Sequence, residues 1–233
     1  MILYTNGDSH TAAAECINSH AFAEDDPKYW MMGRVPHPEN LEQSWGKLLS
    51  NRLSCGFKCE AESASSNDRI IRTTRNWLEK QAKDIYRTLY VIQWSTWERE
   101  EWLIDGAYYQ INGSGIDDVP DSHQQKYKEY VANVDWQTKT DEAHEQIWQF
   151  HLELEALGVK HIFFNGNNDF STIEDKKDWG SSYILPYDPK GTFNSIVSNR
   201  CYTVSPTSYH YGSDGHRIWA QYITKYIIGE KLV

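Results

Sequence analysis

The sequence predicts an α/β fold, a three-layer α/β/α sandwich with a mainly parallel central sheet. Three observations carry this. Strand-like stretches alternate with segments of helical periodicity along the whole chain. The clearest strand-like run, "TLYVIQWS", is rich in β-branched and aromatic side chains and is bounded by polar residues. A chain of 233 residues with 39% hydrophobic and 24% charged residues can bury one sizeable core, so one domain over 1–233 is expected.

Taken in order, "MILYT" is the first strand and "TAAAECINS" reads as a short helix behind it. A polar, proline-containing loop through "DDPKYWMMGRVPHPEN" follows. "NLEQSWGKLLSNRL" places Leu41, Trp45, Leu48, Leu49 and Leu53 at helical spacing, and "GFKCEAES" is the second strand. "NDRIIRTTRNWLEKQAKD" is a helix with Ser66 or Asn67 available as its cap, and it leads into "TLYVIQWS". From about residue 96 to 135 the pattern loosens into a long excursion over the sheet edge, with a short helix in "DSHQQKYKEYVANV". A long helix is expected from Thr140 to Leu157, with Gly158 as its stop. The strands "VKHIFFNG" and "SYILPY", a small helix in "GTFNSIVSN" and an amphipathic helix from Ser213 to Ile228 complete the chain.

The charge balance narrows the partners. Net charge is −10 with no run of Lys or Arg, which argues against a nucleic-acid partner. Mean hydropathy is −0.70, and no apolar segment approaches the ~20 residues of a membrane span. No secretory signal is read at the N-terminus, so a soluble, cytoplasmic protein is expected. Cys16, Cys55, Cys59 and Cys201 are scattered and are expected as reduced thiols; Cys55 and Cys59 lack the second pair of a zinc clip.

A parallel sheet places ligand sites at the carboxyl ends of its strands. The first strand delivers Gly7, Asp8, Ser9 and His10, the second Ser63 to Ser66, and the third Trp94, Ser95 and Thr96. "TSYHYGSDGHRIWA" delivers His210 just before the last helix. A serine, small residues with accessible amides, a second hydroxyl and a histidine are the equipment for acyl transfer. Taken alone, Ser9 reads first as the cap of the next helix, and the His210 block turns the reading toward a nucleophile.

"GDSH" after an N-terminal strand, together with "HYGSDGHRIWA", resembles the first and last blocks of the SGNH, or GDSL-type, hydrolases. The "HYG" variant is similar to members encoded by bacteriophages, which would place such a chain in the host cytoplasm or the virion. The resemblance implies a flavodoxin-like α/β/α fold, Ser9 as nucleophile, His210 as base and His216 as a helix-start residue. It also implies oxyanion donors at the amides of Ser9 and Ala64, and at the side chain in the third block. That block normally reads Gly-x-Asn-Asp; here "QWST" puts Ser95 in the asparagine's place, with Asn67 as the alternative donor. The family's aspartate, three residues before the histidine, is replaced by Thr207. Either Thr207 or a backbone carbonyl orients His210, a distant carboxylate folds into place, or the chain is weak or inactive.

The expected function is therefore a serine hydrolase cleaving a small acyl ester, such as an acetyl group on a carbohydrate, with no metal or organic cofactor. The alternative is an SGNH-fold binding or structural protein, for example a virion-associated one. Asp8 is expected to prop the turn and His10 to be structural. Trp94, Trp97, Trp102, Tyr108 and Tyr109 are candidates to line an acyl or sugar pocket, whereas Trp45, Trp77, Trp148 and Trp219 fall on apolar helix faces. "FFNGNNDF" is read as turn chemistry, and His144 and His151 as helix-surface residues.

Overall fold

The alternation of apolar side chains along each strand decides where the two cores lie, because successive residues point to opposite faces. The computed structural model describes residues 1–21, 35–81, 85–113 and 115–232. Strand β1 is Ile2–Asn6, and its Leu3 and Tyr4 enter different cores. The polar loop expected from Asp25 onward falls outside the described residues as far as residue 34. The single helix expected beyond it is two: α1, Pro38–Glu42, and α2, Trp45–Arg52. Ser44 breaks it, its hydroxyl accepting from the Lys47 amide at 3.1 Å to start α2 afresh.

Strand β2, Gly56–Cys59, precedes α3, Asn67–Lys80, whose cap is Ser66 rather than Asn67. Strand β3, Thr88–Trp94, is buried along its whole length. The excursion departs from the expected loop. It carries an antiparallel hairpin, β4 (Glu100–Ile104) and β5 (Ala107–Ile111), turning on Asp105–Gly106 with φ of 49° and 81°. "DG" between two alternating runs is a strong short-range hairpin signal, because both central residues of the favoured turn need positive φ. After two 3₁₀ turns comes α4, Gln124–Asn133, where a short helix was expected. Helix α5, Trp136–Ala156, starts one turn earlier than the apolar spacing suggested, because the Asp135 carboxylate accepts from the Thr138 amide at 2.7 Å. Strands β6 (His161–Asn165) and β7 (Tyr183–Ile184) and helices α6 (Phe193–Ser198) and α7 (Ser213–Gly229) follow.

The five strands outside the hairpin form one parallel sheet in the order β2-β1-β3-β6-β7. Tyr4, Tyr90, Ile92 and Phe163 face α3 and α5. Leu3, Leu89, Val91, Ile162 and Phe164 face α2, α6 and α7. Both faces are covered, so the central strands read as near-continuous apolar runs. Trp45 and Trp219 are buried in the second core, and Trp77 and Trp148 are half-buried against the first. His144 and His151 are buried, against the expectation of a helix surface: α5 lies under the Phe170–Tyr187 segment, and both rings contact Trp179. No helix among the described residues is long and apolar enough to cross a membrane.

The hairpin is fastened to α3. Arg72 makes two hydrogen bonds to Glu101, of 2.6 and 2.7 Å, and the Gln110 side chain accepts from the Ser66 amide at 2.8 Å. Replacing the buried cap, Ser66→Ala, is expected to cost about 1 kcal/mol. The change should lower the urea midpoint and leave the m-value unchanged.

Candidate active site

Parallel strands deliver their carboxyl ends to one rim, and β1 delivers Gly7 to His10 there. Gly7 is required by space: a Cβ would fall 2.5 Å from Thr11 Oγ1 and 2.8 Å from Gln93 Cβ. The helix expected after Ser9 is absent. The Thr11 and Ala12 amides donate to Asp8 O at 3.0 and 2.9 Å, and the chain then passes through left-handed Ala13 (φ 56°) and Glu15 (φ 61°). Two such residues cannot continue a right-handed helix, so Ser9 is not a helix cap.

Asp8 is buried under this turn with four donors on its carboxylate. Oδ1 accepts from the His10 amide at 3.0 Å and from Gln93 Nε2 at 2.6 Å. Oδ2 accepts from Ser95 Oγ at 3.1 Å and Arg99 Nη1 at 3.2 Å. Burial alone would raise its pKa; the His10 and Arg99 charges and these hydrogen bonds outweigh it and hold the carboxyl below its ordinary range.

Ser9 and His210 line the same cavity, of about 830 Å³, without a hydrogen bond between them. His210 Nδ1 lies 2.9 Å from Glu15 Oε2, which also accepts from Ser208 Oγ at 2.5 Å. A carboxylate only accepts, so Nδ1 carries the hydrogen and Nε2 is left with a lone pair. Burial pushes the Glu15 pKa up, and the hydrogen bonds from Ser208 and His210 more than offset it, leaving the carboxyl low and ionised. Thr207, which stands where the family's acid was expected, is exposed and pairs with Ser205 Oγ at 3.3 Å. It does not reach the ring. Sequence spacing could not have found Glu15, because the segment carrying it reads as a helix.

Two further histidines surround the pair. His10 packs on Phe193, with centroids 5.0 Å apart, and stands edge-on to His210 at 5.7 Å. Burial lowers its pKa to about 4. His216, at the start of α7, is buried with its Nδ1 accepting from the Trp45 amide at 3.2 Å, and burial lowers its pKa to about 3. It ties α7 to α2 and does not line the cavity that Ser9 and His210 share.

Ala64 lines the cavity with φ of 66°, the left-handed value that a glycine would adopt freely. Among the described residues neither the Ser9 nor the Ala64 amide donates a hydrogen bond. Ser95 turns away: its hydroxyl is held by Asp8 and by Arg99 at 2.8 Å. Asn67 accepts from the Ser95 amide through Oδ1 at 2.9 Å and lines a separate pocket beside Trp97 and Glu100, not the Ser9 cavity. The side-chain amides on the cavity wall are instead those of Asn112, Asn167 and Asn194, with Asn167 following β6 beside His10. The sequence carries no specific signal for Asn167: Gly166–Asp169 spells Gly-x-Asn-Asp, but the asparagine of that pattern is Asn168 and Asn167 is the variable position.

The candidate pocket aromatics lie elsewhere. Trp94 is buried against Phe150 and Phe163, and Trp97 stacks on Phe170 at 4.7 Å, because both side chains face the core under α5. Trp102 and Tyr109 pack in the hairpin's own cluster, and Tyr108 lies under the Arg72 guanidinium at 3.9 Å. The cavity wall is polar instead, with Arg99, Asn112, Asp118, Asn167, Asn194 and the exposed Tyr209.

Residues 37–162 match the family described as "Family of unknown function (DUF6071)", and the chain belongs to that family. No curated protein matches at a significant level. Three similar solved structures are at the level of distant shape. One is a G-D-S-L family protein from Desulfitobacterium hafniense, with 13% identity, TM-score 0.44, and 97% of this chain and 98% of that one covered. Another is the psychrotrophic esterase EstA from Pseudoalteromonas, with 10% identity, TM-score 0.45, and 98% and 97% covered. The third is a point mutant of Axe2, an acetyl-xylooligosaccharide esterase from Geobacillus, with 13% identity, TM-score 0.43, and 97% and 93% covered.

Two stability measurements test this geometry. Ala64→Gly relieves a left-handed alanine and should stabilise the fold by about 1 kcal/mol in urea. His10 and His216 have folded pKa values of about 4 and 3, below the ordinary 6.5. Between those limits the unfolded chain binds protons that the folded chain does not. Stability should thus be complete above pH 6.5 and fall with pH below it, by up to about 1.4 kcal/mol per unit for each ring. Urea midpoints that stay constant from about pH 7.5 to about pH 5 would contradict the buried neutral rings.

Proposed function

We propose that the chain is a serine esterase whose charge-relay partner for His210 is Glu15. The observation that carries this reading is the Glu15 carboxylate on His210 Nδ1, at the edge of a cavity that Ser9 shares. With Nδ1–H held by Glu15, His210 Nε2 takes the Ser9 proton as Ser9 Oγ attacks the acyl carbon. The Ser9–His210 hydrogen bond forms as substrate enters, since such contacts are often long in free enzymes. Among the described residues the Ser9 and Ala64 amides have no acceptor to surrender; they are the oxyanion donors, with the Asn167 side chain as a third.

His210 then returns its proton to the leaving alcohol, and later activates the water that releases the acyl group from Ser9. All these steps use groups of the chain itself. Asn112, Asn167 and Asn194 make a wall of amide donors and acceptors around the site. That wall suits a hydroxyl-rich alcohol, so the substrate class is a small acyl ester on a carbohydrate-like molecule, not a long-chain lipid.

The native chain should label with a fluorophosphonate probe and turn over an activated acetyl ester, and Ser9→Ala should lose both. If the native chain does neither, the esterase reading fails. Glu15→Gln should lower kcat by roughly a hundred- to ten-thousandfold, because the amide no longer stabilises the imidazolium. Thr207→Ala should leave kcat unchanged; the reverse ranking of these two variants would show that the orienting group is misassigned. His216→Ala should lower the melting temperature, since it removes the acceptor of the buried Trp45 amide.

A further inference from the structure

A second histidine cluster lies at the opposite end of the sheet, at the start of β6 rather than its end. His151 and Glu155 are one helical turn apart near the end of α5, so they share a face. The tight reversal at Gly158, with φ of 66°, returns the chain so that His161 opens β6 beside them. His151 Nδ1 and His161 Nε2 are 2.9 Å apart, and Glu155 Oε1 is 3.8 Å from His161 Nδ1. One ligand atom from each of the three residues lies within 4.8 Å of the other two.

Both rings are buried, yet together with Glu155 they line an open cavity of about 650 Å³, with Asp178 on its wall. His161 Nδ1 lies 2.9 Å from the Val159 carbonyl, which can only accept. The hydrogen is therefore on Nδ1, and the Nε2 lone pair points to His151. A carbonyl on the far nitrogen is the support that orients a metal-binding imidazole. The separation of the two ring nitrogens is close to what one ion needs. Two nitrogens bound at about 2.0–2.1 Å at a tetrahedral angle stand about 3.3 Å apart, so the rings need to part by only a few tenths of an ångström from 2.9 Å. Trp148, stacked on His151 at 5.0 Å, fixes the plane of that ring. Among the described residues no lysine or arginine neutralises Glu155; Lys160 on the same wall donates to Leu232 O at 3.2 Å.

We propose that His151, Glu155 and His161 form a binding site for a borderline divalent cation of the zinc type, which staples α5 to β6. Two imidazoles and a carboxylate are the donor set such ions favour over magnesium or calcium. The ion replaces the hydrogen bond between the two rings. His151 moves its proton from Nδ1 to Nε2 and both rings stay neutral, so the two nitrogens face the cation together. Solvent from the open cavity completes the coordination. The site is independent of the esterase reading, because none of its three residues lines the Ser9 cavity.

Equilibrium titration of the metal-free protein with cobalt chloride should show one ion bound with a visible ligand-field absorption. Zinc chloride should displace it and raise the melting temperature. Glu155→Gln, at an exposed position, keeps the fold and should weaken cobalt binding about tenfold or more, as should His151→Gln. Ser9→Ala and Glu15→Gln should bind cobalt as the native chain does. Absence of binding, binding indifferent to both Glu155→Gln and His151→Gln, or binding lost in Glu15→Gln would each overturn the proposal.

Discussion

The Asp8 carboxylate is the constraint around which the rest of the site is arranged. A buried charge is tolerated only when it is paired and fully hydrogen-bonded. Asp8 meets that condition by drawing donors from three places: its own turn, the end of β3 through Gln93 and the following Ser95, and the approach to the hairpin through Arg99. Satisfying one carboxylate thus fixes the end of β1 against β3 and brings the hairpin over the sheet edge. It also explains why Ser95 cannot serve the cavity: its hydroxyl is committed to the same anion.

Next to this rigid turn, the chain uses backbone conformations that most residues avoid. Left-handed Ala13 and Glu15 end what would otherwise be a helix, and they carry the Glu15 carboxylate to His210. Left-handed Ala64 holds its amide at the cavity. Strained non-glycine residues persist where the surrounding structure over-determines them, and such positions concentrate at functional sites. Here Ala64 lines the cavity itself, and Glu15 holds the His210 ring that does. The composition of its wall follows from the same architecture. The large aromatic residues that leave β3, Trp94 and Trp97, are taken up by the core under α5, so the rim is left to amides and charges.

The arrangement gives the two ends of the sheet different tasks. The carboxyl ends of β1, β2 and β6 bring together Ser9, Ala64 and Asn167, with His210 arriving from the segment before α7. The amino end of β6 holds a histidine pair where a helix returns into a strand. The two sites share β6 but no residue.

Much of the sheet was legible because its signals are local. The near-continuous apolar runs in "TLYVIQWS" and "HIFFN" mark strands covered on both faces, and the apolar spacing in α3, α5 and α7 marks helices. The Asp105–Gly106 turn was equally local and could have been read. Ser9 and His210 were visible as short motifs, because a nucleophile and its base need particular neighbours in sequence. The acid was not. Glu15 and His210 are 195 residues apart, and nothing in a helix-like "AAAECINS" announces two left-handed residues. Nor could spacing show that Asp8 would claim Ser95, or that His151 and His161 would meet. By itself the sequence determined the layers and the candidate pair, through periodicity and turn chemistry. The tertiary structure alone decided which carboxylate, amide and imidazole complete each site, because those choices depend on buried charge finding its partners across the fold.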